Sequence, residues 1–388
     1  MLISCKSRIV LSLMLSFIVI IPLDAEIRVA LLGLDRPLSL TVNIREGSYR
    51  MLADGQYYYP AKDDNILLVK AGNKVLVSIP GANSLLSDSV LIESDDKAGC
   101  FSVRNNIRGQ AARVYYGDLT VIPDIRALLA INSVDEENYL AGVVRTEAGP
   151  VGHIEFYKAQ AMLARTYLYM NIGRHKRDGY DLCDRVHCQA YHGMSDVPLI
   201  YEAVNATRNR VLVNPDSLLV FTPFHSNCGG ATQSSAYVWL TGMNHLRGVI
   251  DPYCRYSRNA TWTKEIAMDE WIAYLGEHGY RHVNESDLNY DQPGRKKDYR
   301  AGSFSYPLVN IREDWALRST FFSAAIRDSS IILSGRGYGH GVGLCQEGAR
   351  VMSERGFLME EILAFYFQDL VIIDIKDVKA SVQINSAF

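Results

Sequence analysis

The chain has 388 residues, 48% hydrophobic and 21% charged, which excludes extensive disorder and predicts two domains or one large domain with an extension. Its 40 Lys and Arg against 43 Asp and Glu give a formal charge of -3, which excludes the strongly basic surface expected of a nucleic-acid binder.

The N-terminus carries the one segment apolar enough to meet a membrane. Lys6 and Arg8 precede an uncharged run from Ile9 to Leu23, and Ala25 follows. A basic start, a short apolar middle and a small exit residue describe a secretory signal peptide. The run of 15 residues is shorter than the ~20 a spanning helix needs, and Pro22 disfavours a settled membrane helix. Leu23 is large for the third residue before a cleavage site, so an uncleaved anchor is the alternative. Either way the chain is expected outside the cytoplasm, in the periplasm or cell envelope, with membrane contact only through residues 9–23. Six cysteines follow Ala25, too few in this length for a disulfide scaffold.

From Ile27 to Pro123, β-rich runs such as IRVALL, SLTVNI, NILLVK, KVLVSI and ARVYYGDLTVI are broken by turn residues, as in successive strands. Near residue 133 the period changes. Ser133-Val-Asp-Glu136 fits a capping box before a short helix, which Gly149-Pro150 stops, with Glu147 just past its end. A longer helix over EFYKAQAMLARTYLYMNIG has Phe156, Ala159, Leu163, Tyr167 and Met170 on one side and ends at Gly173. A short helix at Tyr201–Asn205 and strands at VLVNP and LLVFTPF come next. Residues 255–310 read as an irregular insertion with a helical stretch around Trp271. SIILSGRGYGHGVGLCQEGARVM then reads strand, glycine loop, helix, followed by the helix MEEILAFYF and the strand LVIIDIK. The expected class is α+β: a leader or anchor (1–25), a β-rich N-terminal region (26–123), a mixed α/β core (124–375) holding the insertion, and a tail (376–388).

There is no H-E-x-x-H helix, no G-x-S-x-G elbow and no nucleotide-binding glycine motif. Glycines at 335, 337, 339, 341 and 343 recur with period two, which in an extended segment bares backbone to a ligand or to a neighbouring strand, with His340 in the middle. His175, Cys183, His187 and Cys188 fall within 14 residues and are preferred zinc ligand types. A structural zinc, a Cys183–Cys188 disulfide, or neither are all open on spacing alone. Glu147 stands where a side chain can project into a cleft. Lys158 and Arg165, seven apart, share a helix face ~10 Å apart along the axis. A carboxylate facing two cations is most often a salt bridge.

The blocks NYLAGVVRTEAG, YKAQAMLARTYLY, YDLCDRVHCQAYHG, FHSNCGG and GRGYGHGVGLCQEGA occur in an order that resembles the stage II sporulation protein D family, which includes amidase enhancers. The resemblance covers roughly residues 120–370. It implies a peptidoglycan lytic transglycosylase with Glu147 as general acid and base. It places Lys158, Arg165, His225, His340 and Gln346 at substrate-binding positions, and His175, Cys183, His187 and Cys188 at a zinc-binding cluster. It also implies glycan strands as partner, with an N-acetylmuramoyl-L-alanine amidase as a second. A non-catalytic wall-binding enhancer of an amidase is the alternative. Two departures stand out: Thr-Glu-Ala-Gly replaces the family's Ser-Glu-Met-Pro around the acid, and Glu347 follows the glutamine where an aromatic is common. A carboxylate between two cations has its pKa lowered, which does not suit a general acid, so at least one of Lys158 and Arg165 is expected to point elsewhere.

Overall fold

A computed structural model describes residues 26–379 apart from 34, 97, 108–109, 240–241 and 282–283. The leader or anchor expected at 1–25 and the end of the expected tail lie outside the described residues. The fold is mixed α+β, as expected.

The N-terminal region forms two sheets whose own strands pair antiparallel. A six-stranded sheet runs in the order 113–116, 100–105, 39–46, 66–71, 74–78 and 85–87. In its strands alternate residues such as Leu40, Val42 and Ile44 are buried, which is what the period of two demands of a half-buried sheet. A seven-stranded sheet runs in the order 182–183, 27–31, 128–134, 118–123, 90–94, 49–53 and 56–58. This second sheet crosses the boundary expected near residue 123. Strand 118–123 pairs with 128–134, and the first strand pairs in parallel with Leu182 and Cys183. The β-rich region and the helices share one apolar core.

Helix α1 (Glu136–Ala148) starts later than the Ser133 capping box predicts. Ser133 is still a strand residue, paired with Arg28 and Asp118, and Asp135 caps the helix by accepting Asn138 N–H. The sheet ladder claims Ser133, and the cap moves to the next available acceptor. The helix also runs one residue past Glu147, and Gly149 ends it at φ 79°, a conformation that favours glycine.

Helix α2 (Ile154–Asn171) is the central element, packed against α1, α3 (Pro198–Ala206) and strand 210–213. Its middle is buried on nearly all sides, from Phe156 to Thr166. The expected apolar stripe does not hold to its end, where Tyr167 is half-buried and Met170 is exposed.

The described residues of the segment expected as an irregular insertion form regular elements with a core of their own. Strand 261–267, α4 (Met268–Glu277), the hairpin 298–301/304–307, α5 (Leu308–Asp314) and strands 322–327 and 330–336 enclose Trp271, Tyr299, Leu308, Ile331 and Leu333. Its pairings are long-range: Trp262 meets Gly335, and a Cβ at Gly335 would stand 1.9 Å from the indole. Helices α6 (Gln346–Glu354) and α7 (Met359–Tyr366) and strand 371–374 follow, as expected.

Candidate active site

Glu147 sits in the last turn of α1, where the termination by Gly149 turns the chain away and leaves the carboxylate half-buried. Its Oε1 accepts the N–H of Ala190 at 2.9 Å. Among the described residues no cation stands within ion-pair distance of it. Burial raises its pKa above the ordinary carboxylate range, and the Ala190 hydrogen bond opposes the shift.

The two cations of α2 are engaged elsewhere. Lys158 Nζ bonds Glu155 Oε1 at 2.7 Å, and Glu155 also accepts Met359 N–H at 2.8 Å, so this pair ties α2 to the start of α7. Arg165 has no exposed side chain. Its guanidinium donates to Glu136 Oε1 at 2.7 Å, Glu137 Oε2 at 2.6 Å and the Val204 and Thr207 carbonyls, joining α1, α2 and α3. A ligand cannot reach it without breaking that cluster, so the expectation of a substrate contact at Arg165 gives way to a structural role.

Gln346 opens α6, and its Nε2 donates to the carbonyl of Glu147 at 3.0 Å and to Gln160 Oε1 at 3.2 Å. Two parts of the chain 199 residues apart thus meet at the candidate acid. Just before Gln346, Leu344 and Cys345 pair in parallel with Phe224 and His225, which brings the F-H-S block alongside. His225 is buried, donates from Nδ1 to Val342 O at 3.0 Å, and has no partner at Nε2 among the described residues. His340 accepts Val342 N–H at Nδ1 and donates from Nε2 to Phe224 O at 3.0 Å. Their rings are 5.5 Å apart. Burial holds both neutral, with His340 pushed down to about 4.

The glycine loop is not the extended strip that the period of two predicts. Gly337, Gly339, Gly341 and Gly343 all have positive φ, and a Cβ at Gly343 would stand 2.0 Å from Pro223 O. The glycines let the loop coil against the 223–229 segment, which is the neighbouring-backbone reading of that pattern. Glu347, the unexplained extra carboxylate, is gripped by the amides of Asn227 at 2.5 Å and Asn259 at 2.7 Å.

His175, Cys183, His187 and Cys188 converge, with all four ligand atoms within 4.8 Å of one another. Cys183 and Cys188 are free thiols, not a disulfide. His175 Nε2 is 3.5 Å from Cys188 Sγ, and His187 Nδ1 is 3.7 and 3.6 Å from the sulfurs of Cys183 and Cys188. A tetrahedron with bonds of about 2.0–2.3 Å has edges of roughly 3.3–3.8 Å, so the donors fit a metal such as zinc. The Cys183 thiol is pushed down to about 4 by the hydrogen bond from Cys188. Asp178 Oδ2 stands 3.1 Å from His175 Nδ1, where it fixes the ring and leaves Nε2 free to ligate. The first strand braces the loop: Asp184 N–H donates to Ala30 O, and Leu32 N–H to Asp184 Oδ2 at 2.9 Å. Ala190, the donor to Glu147, follows Cys188 by two residues.

Sequence reasoning missed Ala190, because a backbone donor has no side-chain signature, and Gln160, a buried glutamine on a helix read for its apolar stripe. Glu147 lines neither of two cavities: one of about 680 Å³ bordered by His175, Cys183 and His187, and one of about 630 Å³ bordered by Gly230, Arg255 and Arg295. Among the described residues no helix is long and apolar enough to cross a membrane.

The sequence model described as stage II sporulation protein matches residues 125–214, the stretch that holds Glu147, α2 and the His/Cys quartet. The chain is 28% identical to an uncharacterized protein of Brachyspira hyodysenteriae, over 67% of this chain and 72% of that one. It is 24% identical to stage II sporulation protein D of Bacillus subtilis, over 62% and 74%. To the amidase enhancer of Bacillus subtilis it is 25% identical, over 59% of this chain and 39% of that protein. Residues 125–214, the stretch that carries Glu147 and the His/Cys quartet, are thus similar to the stage II sporulation protein family.

Proposed function

We propose that the protein is a peptidoglycan lytic transglycosylase whose single general acid and base is Glu147. What carries this reading is the electrostatic setting of that side chain: half-buried, raised in pKa by desolvation, and free of any cation within ion-pair distance among the described residues. A general acid needs its proton near neutrality, and desolvation is the means of keeping it.

Ordinary glycoside hydrolysis takes two carboxylates. The proposed reaction takes one, because the substrate brings its own nucleophile. Glu147 gives its proton to the oxygen linking N-acetylmuramic acid to N-acetylglucosamine as the bond to C1 breaks. The carboxylate then accepts the proton of the muramic C6 hydroxyl, whose oxygen closes on C1. The products are a 1,6-anhydro end and a free 4-hydroxyl, and Glu147 is reprotonated. Ala190 N–H orients the carboxylate on one oxygen and leaves the other for the reacting atoms. Gln346 fixes the Glu147 backbone, while Lys158, partly exposed beside Glu155, is the group proposed to meet sugar hydroxyls and N-acetyl groups.

His175, Cys183, His187 and Cys188 are the residues that would hold a zinc ion. When bound, it supplies a cross-link that fixes the loop, not a Lewis acid at the bond being cut. The protein's part is to carry that rigidity through Gln189 and Ala190 to the acid. The partners of the proposed activity are glycan strands and, by the likeness to the amidase enhancer, a cell-wall amidase; the place of action is the cell envelope.

Purified glycan strands without stem peptides, digested and read by mass spectrometry, test the proposal. The chain is expected to produce anhydromuramic ends alone, and Glu147→Gln to form them about a hundred- to ten-thousand-fold more slowly while still binding glycan. Glycan binding without products from the unaltered chain would favour the non-catalytic enhancer instead.

A further inference from the structure

The fold gathers a second set of metal-binding groups away from the first. Cys228, Asp251, Cys254 and Cys345 are each fully enclosed, and their ligand atoms all lie within 4.8 Å of one another. Cys228 Sγ is 3.3 Å from Cys254 Sγ and 3.1 Å from Asp251 Oδ2. We propose that these four side chains form a closed, structural zinc site, separate from the quartet at 175–188.

The sulfur of Cys345 caps α6 and accepts the N–H groups of Cys228 at 3.3 Å and Gly348 at 3.4 Å. These two backbone donors fix where the sulfur points. Asp251 is held for ligation from both sides: Oδ1 accepts Tyr253 N–H at 2.8 Å, and Oδ2 accepts the Tyr366 hydroxyl at 2.9 Å. Gly348 leaves the space this needs, since a Cβ there would stand 2.4 Å from Asp251 Oδ2 and 2.3 Å from Tyr366 Oη.

Arg295 provides the balancing charge. Its guanidinium donates to Cys228 O and Ala231 O at 2.7 Å and to Thr320 Oγ1 at 3.4 Å, all neutral groups. Among the described residues it pairs with no carboxylate. A zinc held by three thiolates and a carboxylate carries surplus negative charge, which is the counterpart this guanidinium lacks elsewhere. Thiolates select zinc over hard cations, and complete enclosure of four ligands leaves no open position for water, so the site is structural.

The site would clip three separate stretches: the loop after His225, the 251–254 turn, and the residue before Gln346. It thereby fixes the wall that meets Glu147 from the C-terminal half.

The test is elemental analysis of the chain purified without chelator, alongside a Cys183→Ser/Cys188→Ser variant. About two zinc ions per unaltered chain and about one in that variant are expected. A folded variant without zinc, or a Cys228–Cys254 disulfide peptide from unreduced denatured protein, would overturn the proposal. Should the variant fail to fold, cobalt reconstitution of the unaltered chain decides: charge-transfer absorption matching about five thiolate–cobalt bonds supports the site, and about two contradicts it.

Discussion

The two sulfur-rich corners of the molecule hold similar donors in opposite settings. The quartet at 175–188 is drawn from one loop, with His187 exposed and the sulfurs just below the surface. The cluster at 228–345 is fully enclosed and drawn from three stretches of chain. The first touches the proposed acid, because its loop delivers the Ala190 amide to Glu147. The second touches stability, because α6, α7 and the 223–229 segment all converge on it. A cross-link confined to one loop sets the shape of that loop, whereas one between distant segments sets whether they assemble.

Glu147→Gln isolates the chemistry from both corners and has the largest expected effect. Loss of the general acid should lower the rate of anhydro-end formation about a hundred- to ten-thousand-fold. The same change should raise the melting temperature at neutral pH. A carboxyl whose folded pKa is raised contributes stability below its unfolded pKa, and that contribution is lost as pH rises through the folded one. Glutamine keeps the acceptor for Ala190 N–H and removes the titration. A melting-temperature difference that does not grow between acid and neutral pH would count against burial as the source of the shift. The rate of the unaltered chain should fall on the alkaline side as Glu147 loses its proton.

Arg165→Ala should act on the fold and not on the chemistry. Removing one partner of a buried ion-pair cluster costs about 3–5 kcal/mol, near the lower end because Glu136 and Glu137 are partly exposed. Denaturant unfolding should show that loss, while the folded fraction keeps its KM for glycan. A raised KM at unchanged stability would restore Arg165 as a substrate contact.

Cys183→Ser/Cys188→Ser should lower activity about ten- to a hundredfold while the melting temperature changes little, the signature of a displaced support under the acid. Equal losses of stability and activity would erase the contrast between the two corners. The smallest effect is expected of Lys158→Ala on the fold. Its pair with Glu155 is partly exposed, so thermal unfolding should register no more than about 1 kcal/mol.

The same contrast explains what could be read from the sequence. The quartet at 175–188 is legible because its ligands fall within a single loop, and α2 because its apolar residues recur with a helix period. The second cluster is not legible. Cys228 and Cys345 are neighbours only because strands 224–225 and 344–345 pair, and Asp251 arrives from a turn with no pattern of its own. The insertion fails for the same reason: strand 261–267 finds its partner at 330–336, so its order is invisible to local periodicity. Ser133 illustrates a competition that sequence alone does not resolve, since the capping pattern is present and the ladder takes the residue instead. The glycine loop shows the right spacing with the wrong backbone: period two suggests an extended strip, whereas the positive φ values fold it onto Pro223 and Asn227.

In the proposed reaction the attacking oxygen belongs to the sugar and not to solvent. Digestion of purified glycan strands in water enriched in heavy oxygen tests it directly, with mass spectrometry of the new muramic ends. Anhydro ends that carry none of the heavy isotope are expected. Hydrated reducing ends that have gained one solvent oxygen would contradict it.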